Sequence, residues 1–163
     1  MEKLKRSLFA AFLNTAESGA STPTWSRMGK GITSQTISYN PESNSEQYIH
    51  EDSATTTLDS YAPTMNGAMT AYSGEPIFDF VDGLRKKRAV GSAAETDVLL
   101  VYIYDKSDDG KYAAEKQHVS VQIDDFGGDA GGTLPINFTL NFMGDAVPGT
   151  ATITGGTPTF TET

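Results

Sequence analysis

The sequence predicts a mainly β protein with one helix (α+β), and three observations carry that prediction. Two runs alternate strictly. Val119, Val121 and Ile123 oppose Ser120, Gln122 and Asp124, and Ile136, Phe138, Leu140 and Phe142 oppose Asn137, Thr139 and Asn141. One stretch alone has helical spacing: Ile77, Phe80, Val81 and Leu84 fall at i, i+3, i+4 and i+7. The 163 residues include 16 Gly and 7 Pro but only 37 % hydrophobic residues, a turn-rich composition foreign to a helical bundle. The expected architecture is a two-sheet β-sandwich or barrel-like sheet covered at one place by the helix.

Along the chain, MEKLKRSLFAAFLNT places Leu8, Phe9, Phe12 and Leu13 at helical spacing, which reads as an amphipathic turn or docking arm. Its apolar run is six residues, short of the core of a signal peptide. Residues 15–24 are small and polar, a linker, so the division expected is an arm and linker over 1–24 and a β domain over 25–163. ITSQTISYN (32–40) reads as a strand ended by Pro41. Residues 41–62 read as a polar, acidic loop, with only a weak strand signal around Leu58, and 64–72 as a strand.

GEPIFDFVDGLRKKRAVG holds the helix, over about 77–89. Pro76 suits its first turn, acids lie early, Arg85, Lys86, Lys87 and Arg88 lie late along the dipole, and Gly91 is the expected stop. VLLVYIY (98–104) is continuous and β-branched, hence a strand buried on both faces. Turns follow at 105–111 and 127–133. GDAVPGT (144–150) reads as another turn, leaving ATITG and PTFT as short closing strands.

The formal net charge is −9, from 12 basic and 21 acidic residues, which argues against a nucleic-acid binder needing a basic footprint. With no Cys and two His (His50, His118), disulfides, thiolate metal sites and multi-histidine sites are excluded within one subunit. DKSDDGKYAAEK imitates a calcium loop, but Lys116 stands where a bidentate Glu is required. No G-x-S-x-G elbow accompanies the histidines, and Asp124 and Asp125, successive on a strand, face opposite ways. FGGDAGG lacks the lysine of a phosphate loop. No enzyme, cofactor or metal is expected, and the features left over suit a protein that assembles with copies of itself.

Three runs carry a resemblance. WSRMGKGITSQTISYNPESNSEQYIHEDSATTTLDSYAP, AYSGEPIFDFVDGLRKKRAVGSAAETDVLLVYIYD and YAAEKQHVSVQIDDFGGDAGGTLPINFTLNFMGDAVPGTATI together span nearly the whole chain. In that order they resemble tail tube (major tail) proteins of long-tailed phages and prophages of Gram-positive bacteria. The resemblance implies a β-sandwich whose strands join those of neighbours into a ring-shaped β-barrel. Hexameric rings would stack into a hollow tube around a tape-measure protein. Tail terminator and baseplate proteins would be partners, a sheath in contractile tails and tail-like bacteriocins another, and double-stranded DNA would pass through without sequence-specific contact. The location implied is the virion tail, assembled in the host cytoplasm, with no membrane partner.

On that reading Leu8, Phe9, Phe12, Leu13 and Trp25, or the 41–62 loop, bury apolar surface between subunits, and Arg85, Lys86, Lys87 and Arg88 meet acid on a neighbour. Phe12→Asp, or loss of residues 2–14, should then stop tube growth and leave the subunit folded. Ser120, Gln122, Asp124, Asn137, Thr139 and Asn141 are the candidates to line the channel. The alternatives are a single-ring terminator or baseplate subunit, a monomeric β-sandwich binding module, and, third, a hydrolase dependent on His50 or His118.

Overall fold

The run at 98–101 organises the molecule. A strand whose successive side chains are all apolar must be covered on both faces. In the computed structural model, which describes residues 1–163, this run lies within β7 (Glu95–Lys106). Val98 and Leu100 enter one core, with Leu13, Met65, Val119, Ile136, Phe138 and Leu140. Leu99 and Val101 enter a second, with Ala10, Phe12, Ala114 and Ala151.

The remaining strands are β1 (Phe9–Asn14), β2 (Trp25–Arg27), β3 (Ile37–Ser38), β4 (Pro41–Glu46), β5 (Thr55–Tyr61), β6 (Thr64–Thr70), β8 (Tyr112–Phe126), β9 (Pro135–Thr154) and β10 (Thr157–Glu162). Eight of the ten form one antiparallel sheet in the order β2-β1-β7-β8-β9-β6-β3, with β10 added to β9. β4 and β5 pair only with each other. The fold is mainly β with one helix.

The long strands run through both parts of this sheet. The first half of β9 pairs with β6, its second half with β10, and β8 runs beside both halves. Bulges at Lys116/His118 and Ile123/Asp125 bend the ladder between them. The buried Gln117 fills the first bulge, donating to the carbonyls of Met143 at 2.9 Å and Gly144 at 3.2 Å. The stretch 144–150 is therefore strand and no turn: Gly144 takes the irregular backbone (φ 70) and the ladder continues through Val147, Pro148 and Gly149.

The helix α1 spans Pro76–Lys87 and closes the first core. Ile77 and Val81 are fully buried, and Phe80 and Leu84 pack beside them. It stops before the expected Gly91. Arg88 itself adopts the left-handed cap (φ 48, ψ 49), and its N–H reaches the Arg85 carbonyl at 3.1 Å. Gly91 opens a short 3-10 turn instead, Gly91–Ala94.

The N-terminal segment corrects the expectation of an arm. Phe9–Asn14 is a strand held between β2 and β7, with Phe12 and Leu13 wholly buried. A run of six apolar residues satisfies a helical face and a doubly covered strand equally well, and the two cores decide for the strand. The preceding turn is tied as well. Arg6 donates to the Phe9 carbonyl at 2.7 Å and the Gln35 carbonyl at 3.3 Å. The 15–24 loop is closed by the Asn14 side chain, which accepts from the N–H groups of Ala16 and Thr24. Over 32–40 the expected strand shrinks to Ile37–Ser38, and Pro41 begins a strand rather than ending one.

Candidate functional site

Three surfaces bear on assembly. The first is a hairpin. From the sheet edge at β3 and β6, the chain continues outward as β4 and β5, after Asn40 turns through a left-handed conformation (φ 45). Asn40 fixes this corner by donating to the carbonyl of Ala62 at 3.0 Å. Every residue of β4 and β5 is exposed, so neither strand has an inner face. The tip is ordered by its own contacts: Gln47 donates to the Glu51 carbonyl at 3.0 Å, Tyr48 donates to Glu46 at 2.9 Å, and Tyr48 stacks on His50. No side-chain hydrogen bond or ion pair ties residues 41–60 to the rest of the chain. Five of the thirteen exposed large apolar and aromatic side chains lie on this hairpin and its root: Tyr39, Tyr48, Ile49, Leu58 and Tyr61.

The second is a polar sheet face. The registers β8–β9 and β6–β9 set Ser120 opposite Asn141, Gln122 opposite Thr139, and Asn66 beside Thr139. Alternation puts Ser120, Gln122, Asn137, Thr139 and Asn141 on one face, away from the core that holds Val121, Phe138 and Leu140, and the bulge at Ile123/Asp125 brings both Asp124 and Asp125 to that face, which corrects the expectation that they face opposite ways. Four of them form a connected chain, Asn141–Gln122–Asp124–Thr139, and Asn137 bonds separately to Asp125. Asp124 accepts from Thr139 at 2.7 Å and from Gln122 at 2.6 Å, Gln122 accepts from Asn141 at 3.3 Å, and Asn137 donates to Asp125 at 2.6 Å. The only formal charges in it are negative. Farther along the same face, His118 sits between Asp97, 2.8 Å away, and Glu95, 3.9 Å away.

The third is the basic end of α1. Asp82 holds two of its four bases: Arg85 at 2.7 Å and Lys86 at 3.1 Å. Burial pushes the Asp82 carboxyl upward, but the hydrogen bonds from Arg85 and Lys86 outweigh it and hold the group below the usual carboxylate range. Lys87 and Arg88 have no carboxylate within 4.0 Å. Arg85 also lies 3.9 Å over the ring of Phe126 at the end of β8. Between this helix end and β8–β9 runs a groove of about 810 Å³. The basic residues Arg85 and Arg88 and the polar residues Ser120, Gln122 and Asn141 thus border one depression, a proximity that sequence alone did not indicate.

The N-terminal interface candidates sit differently. Phe12 and Leu13 are inside the subunit and offer nothing to a neighbour, which corrects their assignment. Leu8 and Phe9 are half-buried, Phe9 being stacked on Tyr102. Trp25 is half-buried on the short edge strand β2, against the second core. The Tyr102 hydroxyl donates to Glu115, and burial first, then that carboxylate, pushes its ionisation far upward. His50 on the hairpin tip and His118 on β8 make no shared site. No group of three or more His, Asp or Glu is placed to hold a metal, and no helix is long and apolar enough to cross a membrane.

No family model matches the chain, and no curated protein matches its sequence. Solved structures do. A chain from the tail of an empty GTA particle, obtained by helical refinement with C6 symmetry, superposes with a TM-score of 0.61 at 13 % identity, covering 88 % of this chain and 97 % of that one. A chain from the 6-fold symmetrised baseplate of the anti-feeding prophage (AFP) superposes with a TM-score of 0.51 at 10 % identity, covering 91 % and 97 %. At such identities the likeness is one of fold, and it extends over nearly the whole of each chain: this protein has the fold of chains that build phage-type tails and baseplates.

Proposed function

We propose that this protein is a structural subunit of a phage-type tail, which self-assembles into hexameric rings that stack into the hollow tail tube. The observation that carries the reading is the β4–β5 hairpin. An isolated two-stranded hairpin is marginal in water, and this one buries none of its strand residues in its own subunit. Exposed aromatics on such an element call for a partner. The likeness to a chain of a C6-symmetric tail supports copies of the same chain as that partner.

The polar face of β8 and β9 is the surface suited to the lumen. Its hydrogen-bonded amides and hydroxyls offer no apolar grip, and Asp124 repels phosphate, so double-stranded DNA passes without sticking. During assembly the same lumen holds the tape-measure protein. The terminator and baseplate, and a sheath where the tail contracts, bind the ends and outside of the tube. The virion tail, built in the host cytoplasm, is the location that follows, and no catalytic step is involved.

Negative-stain electron microscopy of the purified protein at rising concentration, with light scattering, tests the reading. Stacked rings or hollow tubes are the expected result, and a chain that stays monomeric at every concentration overturns it. A second reading, a single-ring baseplate or terminator subunit, draws on the likeness to the AFP baseplate chain. Closed rings that never stack would favour it.

A further inference from the structure

We infer that the acidic tip of the β4–β5 hairpin docks into the groove at the basic end of α1 on a second copy of the chain. This rests on the self-assembly reading and adds which surfaces meet: the docked tip takes the end of the polar face at Ser120, Gln122 and Asn141 and leaves Asp124, Asn137 and Thr139 to the lumen.

Two complementary surfaces are left unpartnered in one subunit. The hairpin from Pro41 to Tyr61 carries Glu42, Glu46, Glu51, Asp52 and Asp59 and no Lys or Arg. More than half of the chain's net −9 therefore resides on one projecting element. Its tip presents Ile49 completely to solvent, at 107 % relative exposure, with Tyr48 beside it. An isoleucine held there by an ordered turn is an apolar anchor with no pocket in its own subunit.

The groove supplies the matching pocket. Its apolar lining includes Leu84, Val121, Ile123, Phe126 and Met143, with Val90 on the rim at 81 % exposure. Its volume, about 810 Å³, exceeds what the Ile49 and Tyr48 side chains need. Arg88, without a carboxylate of its own, stands at its edge, and Lys87 lies next to it in the chain. Two acids, Glu95 and Asp125, also border the groove, on the strands rather than the helix, where His118 lies 3.9 Å from Glu95 and Asn137 donates to Asp125. The unpaired positive charge is confined to the helix side of the rim, at Arg88 and the neighbouring Lys87, and it is there that the acidic tip is matched. Apolar anchor into apolar pocket with opposite charges around it is the arrangement of a stable contact. A contact in trans is favoured because no side-chain hydrogen bond or ion pair ties the tip to the body of its own subunit.

The chain contains no cysteine, so introduced thiols report this contact without background. Two full-length variants, Ile49→Cys and Val90→Cys, are mixed under assembly conditions and oxidised. Both sites are exposed, so both variants should fold. The expected result is a covalent Ile49–Val90 heterodimer, formed about tenfold more than with the control pair Ile49→Cys and Asp108→Cys. Arg88→Glu on the Val90→Cys chain should cut the yield by a similar factor, and Glu51→Lys with Asp52→Lys on the Ile49→Cys chain should restore it. Rings or tubes that form while the heterodimer stays at the control level overturn the contact and leave self-assembly standing. A cross-link indifferent to charge reversal overturns the electrostatic pairing. A chain that remains monomeric in light scattering overturns the self-assembly reading and the contact together.

Discussion

Phe12 and Gly67 show how closely single side chains fix this fold. Phe12 is wholly buried in the second core, so Phe12→Ala should cost about 3–5 kcal/mol, read as a shifted urea midpoint. A folded variant with an unchanged midpoint would contradict that placement. The same burial reverses the expectation for Phe12→Asp, which should now unfold the subunit before assembly is in question. Gly67 stands across the ladder from Phe138, and a Cβ there would lie 2.3 Å from the ring. Gly67→Ala should destabilise by about 1–3 kcal/mol, and Phe138→Leu in the same chain should recover part of the loss. Equal losses with and without Phe138→Leu would show that the ring is not the obstacle. Asp82 makes a prediction about pH. Its carboxyl is held below the usual range, so its contribution to stability is full above the unfolded value near pH 4 and fades as pH falls through the folded value. Asp82→Asn should therefore cost about 0.5–1 kcal/mol at neutral pH, a deficit that vanishes in strong acid. A deficit that persisted at low pH would point to lost packing rather than lost charge.

The elements divide by how many of their faces are covered. Helix α1 was legible because one face is buried and the other solvated, which prints a 3.6-residue period on the sequence. The alternating parts of β8 and β9 were legible for the same reason at period two. β7 was recognised from its unbroken apolar run. The β1 residues carry the same signature in fewer letters, too few to separate strand from helix. The hairpin lies at the opposite limit: with both faces in water, PESNSE and TTTLDSY alternate nothing, and they read as loop. In 144–150, Gly and Pro suggested a turn, yet here they accommodate a bulge inside a strand. The polar site residues were legible as a face, but their meeting with the helix end depended on a packing angle that no local pattern encodes. The element-scale prediction concerns the hairpin. Replacing residues 42–60 by a short Asn-Gly turn should change subunit stability by less than about 1 kcal/mol in thermal unfolding. It should also abolish rings and tubes. Assembly that survived the excision would remove the observation on which the proposed function rests.

At the scale of the whole molecule, β8 and β9 contribute to both cores and join them, and the β4–β5 hairpin projects from the sheet they form. Acid is distributed unevenly over the subunit, with five carboxylates on that projection and Asp124 and Asp125 on the polar face. In the proposed tube, the first set serves adhesion between copies, and Asp124, outside the docking groove, repels the phosphate of passing DNA. The hairpin's lack of any buried residue also has a kinetic consequence. In the free subunit nothing packs against its strands, so an ordering cost falls on the first encounters between copies and is shared by many contacts once a ring exists. Growth on an existing ring should then outpace founding a new one. Turbidity should show a lag and a critical concentration, and a small addition of sheared tubes should remove the lag; smooth, lag-free growth that seeds do not accelerate would contradict this. A cell could thus hold a pool of subunits that stays unpolymerised until an initiating ring appears.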